Sequence, residues 1–85
     1  MKPFVLKGHE RPINVVKFNY DGDLFFSACA EGKINLWEAY TGERIGSYKA
    51  KSAVKSIDVD FNSEHLVCCG FDGTLQVLYC SKLDL

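Results

Sequence analysis

No stretch of this chain comes near the ~20 consecutive apolar residues of a membrane-spanning helix. Its start, Met1-Lys2-Pro3-Phe4-Val5-Leu6-Lys7, sets three apolar residues between lysines, far short of the ~7–15-residue apolar run of a secretory signal. Charge of one sign is missing too. Ten basic against eleven acidic residues leave a net charge of −1, so there is no broad electrostatic footprint for nucleic acid or anionic lipid. Also absent are a C-x-x-C pair, any Cys/His spacing of the zinc type, and the G-x-S-x-G elbow of an α/β hydrolase. These absences lead us to expect a soluble, intracellular, cytoplasmic protein with no cofactor, no small-molecule ligand and no membrane contact.

The four cysteines do not read as a disulfide framework. Cys68 and Cys69 are neighbours in an apolar run and point to opposite faces if that run is a strand. Cys29 and Cys80 end apolar runs in the same way. All four are expected to be buried free thiols acting as small hydrophobes. A zinc site drawn from His9, His65 and these cysteines is the sharper alternative, and it lacks the spacing.

What is present is a repeat. Set against a shifted copy of itself, the chain matches: Val16 falls on Ile57, Phe18 on Val59, Gly32 on Gly73, Ile34 on Leu75 and Leu36 on Val77. A period of ~40–45 residues, with Gly8-His9 opening a unit and Trp37 near its end, is the signature of a propeller blade. The 85 residues hold two such units and little else. The expected fold is all-β, a partial propeller over residues 1–85 with strands at 4–6, 13–18, 24–29, 33–37, 44–48, 54–61, 66–69 and 74–79. Glu31-Gly32 and Asp72-Gly73 read as tight hairpin turns at equivalent places. Leu24-Phe25-Phe26 and Leu66-Val67-Cys68-Cys69 load both faces of their strands, as a sheet covered on both sides requires.

Four residues of the first unit form a chemical group: His9, Ser27, Glu31 and Trp37. The indole N–H can donate to the serine oxygen, the serine hydroxyl to one imidazole nitrogen, and the other imidazole N–H to the carboxylate. Such a chain satisfies polar groups that burial would otherwise strand. Serine, histidine and an acid are also the parts of a hydrolase triad, but no helix-capped elbow carries this serine. The expected fourth member of the structural set is aspartate, and Glu31 is one methylene longer. In the second unit Ala50, Cys68 and Leu78 stand where His9, Ser27 and Trp37 stand in the first, while Asp72 keeps the acid. That unit is expected to rest on packing.

The chain resembles WD-repeat proteins and, among them, the i-subunit family of eukaryotic translation initiation factor 3. The resemblance is carried by Leu6-Lys7-Gly8-His9-Glu10-Arg11-Pro12, by Gly22-Asp23-Leu24 with Phe26-Ser27, by Gly42-Glu43-Arg44-Ile45-Gly46 and by Ser56-Ile57-Asp58-Val59-Asp60. It implies a seven-bladed, non-catalytic scaffold that holds the b and g subunits of the factor on the small ribosomal subunit. It also makes His9, Ser27 and Trp37 matches to the family's structural tetrad, with Glu31 in the aspartate's place. A WD-repeat adaptor in signalling or ubiquitin ligation is the alternative. Propellers close with typically four to eight blades, so two blades leave both outer sheet faces bare; a fragment of a longer chain, or one stabilised by other subunits, is expected. Lys49, Lys51 and Lys55 suggest a solvated loop more than an RNA contact. Arg11 and Arg44 are the candidates for partner pairing, since guanidinium suits bidentate contacts.

Overall fold

A computed structural model describes residues 5–80. Seven antiparallel strands form two meanders: β1 (Ile13–Phe18), β2 (Leu24–Cys29), β3 (Lys33–Glu38) and β4 (Arg44–Lys49) make one sheet, β5 (Val54–Val59), β6 (His65–Gly70) and β7 (Leu75–Tyr79) the other. Strand order in each sheet is sequence order, as short hairpin connections dictate.

The register explains which residues become core. Val15, Ala28, Ile34 and Tyr48 lie in one cross-strand row, and Phe26 and Leu36 in the next, all on the face turned toward the second sheet. Ile57 with Cys68, and Val59 with Leu66 and Leu78, answer them from β5, β6 and β7. Burying this set removes apolar surface from water on both sides at once, at about 25 cal/mol per Å². The sheets meet mainly along their first strands, β1 against β5. Asn14 Nδ2 donates to the Val54 carbonyl at 2.8 Å, and Lys17 Nζ lies 3.5 Å from Asp58 Oδ1.

Turn chemistry repeats as faithfully as the strands. Buried Asn19 closes the β1–β2 turn, its Oδ1 accepting from the backbone N–H groups of Gly22 and Leu24. Asp60, its counterpart in the second unit, does the same between β5 and β6 with Glu64 and His65. These local bonds compete with the ladder and end the strand. That is why β5 stops at Val59 instead of running to residue 61 as the apolar pattern suggests. Ser63 adopts a left-handed φ of 62° where the first turn has Gly22 at 77°.

Other boundaries also shift. The expected strand at 4–6 is not formed by Val5 and Leu6, which make no ladder pairing among the described residues; Phe4 lies outside them. The last strand begins at Leu75, because Thr74 is held in the turn, its N–H and hydroxyl both donating to Asp72 Oδ1. Of the four cysteines, all are free thiols and three are buried; Cys69 is half-buried, because its side of β6 faces away from the first sheet.

Candidate functional site

The polar chain of the first sheet lies on the face turned away from the core. Ser27 on β2 and Trp37 on β3 both project there, and the Gly8-His9 loop folds over them. Trp37 Nε1 donates to Ser27 Oγ at 2.9 Å, and Ser27 Oγ lies 2.7 Å from His9 Nε2. With its oxygen accepting from the indole, the serine hydroxyl donates to Nε2, so the neutral ring carries its proton on Nδ1. Burial, with the nearby positive charge of Lys33, lowers the His9 pKa below its ordinary 6.5 and favours that neutral ring.

The chain stops at His9. Its Nδ1 is buried without a hydrogen-bond partner among the described residues. Glu31, expected there as fourth member, sits on the half-exposed β2–β3 turn and extends to Arg11, with Nε and Oε2 3.9 Å apart. The longer arm and a competing guanidinium on the histidine's own loop account for the difference. Glu31 still acts on the ring through space, opposing part of the pKa depression without bonding to it. Arg11 is thus already engaged within the chain, while Arg44 is exposed at the start of edge strand β4.

Asn35 is the residue that sequence reasoning passed over. Fully buried in β3, it donates from Nδ2 to the Gly8 carbonyl at 2.8 Å, and its Oδ1 accepts from Ser47 Oγ at 2.7 Å. It therefore ties the histidine loop to β4. The signal was available, since a polar residue amid Ile34, Leu36 and Trp37 must find partners once buried. Gly8 is required for space: a Cβ there would lie 2.5 Å from Trp37 Cζ2.

This arrangement is poor for nucleophilic chemistry. Ser27 is buried with both neighbours engaged, and no acid orients the imidazole from Nδ1. The cavity beside it, lined by His9, Val16, Phe25 and Trp37 among others, is about 80 Å³, against the ~300–1,000 Å³ of ordinary ligand sites. In the second sheet, Asp60, Glu64 and His65 bring ligand-type atoms within 4.8 Å of one another. Their bonds are internal: Asp60 Oδ2 lies 2.7 Å from His65 Nδ1 while Oδ1 holds the turn. Backbone and side-chain bonds from His65 keep the Asp60 carboxyl below its usual pKa. Tyr48, by contrast, has its hydroxyl pushed up to about 12 by burial beside Cys80.

A four-stranded and a three-stranded meander in tandem, the first carrying a Trp–Ser–His chain, define a segment of a repeat-built β-propeller. The family model described as "WD domain, G-beta repeat" matches residues 2–38 and 42–77, and the chain belongs to that family. Subunit I of eukaryotic translation initiation factor 3 is similar to it: the Schizosaccharomyces pombe protein is 38% identical over 91% of this chain, and the Xenopus tropicalis protein 37% over 94%. The chain spans about a quarter of the length of these curated relatives. Among solved structures, one described as U3-55K superposes with a TM-score of 0.85 over 94% of this chain and 27% of its own, at 17% identity, a likeness of fold alone.

Proposed function

We propose that this chain serves as a non-catalytic scaffold segment in a translation initiation factor 3 complex, docking to its b and g subunits and through them to the small ribosomal subunit. The observation that carries the reading is identity of 37–41% over 91–94% of the chain with subunit I from yeast, frog and fly. Solved structures of similar shape but different name reach 17–27%. The site geometry supports it, because the serine and histidine are spent on holding a loop to a sheet. Their role is structural, with Asn35 as a further member, and Arg44 is the cation available to a partner.

The test is an affinity-tagged chain in a eukaryotic extract, followed through a sucrose gradient. Recovery with the small ribosomal subunit and initiation-factor subunits is expected. Its absence from that fraction, with the chain folded by circular dichroism, overturns the assignment.

A further inference from the structure

The strand ends carry a surface to which neither face of a sheet contributes. The β1–β2, β3–β4 and β5–β6 turns lie at one end of the two sheets, as antiparallel meanders require. Side chains and backbone lock them to one another. Asn19 Nδ2 donates to Asp23 Oδ1 at 2.7 Å within its own turn and to Ser63 Oγ at 3.2 Å in the β5–β6 turn. The Ala39 N–H donates to the Asp23 carbonyl at 2.9 Å and ties in the β3–β4 turn. The tips point along the strands, so a sheet packed on either face stands beside them and not over them.

Each tip shows water an aromatic ring. Tyr20 and Phe61 hold the same place in the repeat and touch, their centroids 4.3 Å apart, yet each is 70% exposed; Tyr40 on the third tip is 79% exposed. Turn chemistry calls for small polar residues, and rings so exposed add little burial to the fold. Clustered exposed apolar groups mark an interaction surface. Carboxylates surround them: Asp21, Glu43 and Glu64 are exposed and, among the described residues, enter no ion pair. Asp23, Glu38 and Asp60 add charge while they hold the turns. Arg44 and His65 are the basic side chains at this end among the described residues, and His65 Nδ1 already lies on Asp60. The lysines gather at the opposite end, where Lys33, Lys49, Lys51 and Lys55 stand with Arg11. A net charge of −1 thus conceals one acidic and one basic end.

We propose that this acidic, aromatic rim binds an arginine-bearing peptide segment of a partner protein. A guanidinium plane stacks on exposed rings and offers paired N–H donors to carboxylates, and the rim supplies both in one place. A lysine ammonium gains less from either. That preference sets aside a second copy of this chain as occupant, since its basic end is lysine apart from Arg11, which lies on its own Glu31. Nucleic acid and anionic lipid are repelled by the same carboxylates. The inference is independent of the role in initiation.

A fluorescein-labelled octapeptide of alternating arginine and serine, read by fluorescence anisotropy against the 85-residue chain, tests it. Saturable binding that weakens with salt is expected, and a lysine–serine peptide of equal charge is expected to bind about threefold or more weakly. Tyr20→Ser with Phe61→Ser is expected to weaken the arginine peptide about fivefold and to narrow the gap between the two peptides. Asp21→Asn with Glu64→Gln is expected to weaken it about threefold. Glu10→Gln with Glu31→Gln removes as much charge at the opposite end and is expected to leave it unchanged. Tyr40→Ser replaces the paired ring variant if that one loses its β circular dichroism spectrum. Absence of saturable binding, equal affinity for the two peptides, indifference to the ring variants, or an equal loss from both carboxylate pairs overturns the proposal. So does concentration-dependent self-association in sedimentation velocity that the rim variants abolish, which assigns the rim to a second copy.

Discussion

Ser27→Ala is the sharpest probe of the polar chain, because it removes one oxygen and almost no volume. The oxygen accepts from Trp37 Nε1 and binds His9 Nε2. Trp37 is buried, so its orphaned N–H costs about 1–3 kcal/mol; His9 is half-buried and loses a bond of about 0.5–1.5 kcal/mol net. A loss of about 2–3 kcal/mol is expected. An 85-residue chain at about 0.05–0.15 kcal/mol per residue has about 4–13 kcal/mol in total, so this is a large fraction. With a urea slope of about 1 kcal/mol/M, the midpoint falls by about 2–3 M. Trp37, the single tryptophan, reports unfolding by fluorescence, with circular dichroism as a second probe at the same protein concentration. Glu31→Gln is the companion, expected to cost under about 0.5 kcal/mol because its carboxylate lies on exposed Arg11 instead of His9. The reasoning fails if Ser27→Ala stays within about 0.5 kcal/mol of wild type, or if both variants cost the same.

Gly32→Ala and Gly73→Ala separate strain from collision. Both glycines have positive φ, 88° and 86°, but a Cβ on Gly32 meets the Ser52 carbonyl oxygen at 2.7 Å while Gly73 faces open space. Chemical denaturation should show about 1 kcal/mol lost at Gly73 and distinctly more at Gly32. Leu66→Ala, fully buried between the sheets, is expected to cost about 2–5 kcal/mol in the same measurement. Acid should weaken the fold through His9. Its folded pKa lies below the ordinary 6.5, so the unfolded chain takes the proton first and stability is lost as pH drops from 6.5 toward the folded value. Above 6.5 this contribution is level. Urea midpoints against pH should show that drop in the wild type and a smaller one in His9→Gln.

Much of this molecule was legible because two different signals agreed. The repeat period set the strands, and apolar residues on both faces of Leu24–Phe26 marked a sheet suited to cover on both sides, of which the second sheet supplies one. Ser27 and Trp37 were readable because strand register forces them to one face. Loops were harder. Glu31 looked like the partner of His9 by type and place, but its choice of Arg11 depends on side-chain reach that no spacing encodes. Asp60 resembled the tail of a strand and is instead a turn-former, visible only on comparison with Asn19, its counterpart in the first unit. Val5 and Leu6 read as a strand by composition, yet a strand needs a neighbour to hydrogen-bond, and composition does not supply one.

The sheets touch chiefly where β1 meets β5, with the Asn14 side chain stitched to the Val54 carbonyl across the seam. Joined along one margin, they behave like the covers of a book opening from its spine. Breathing motions should therefore widen the gap at β4 while leaving β1 and β5 closed. Deuterium is expected to enter Arg44–Lys49 first and the amides along the spine last.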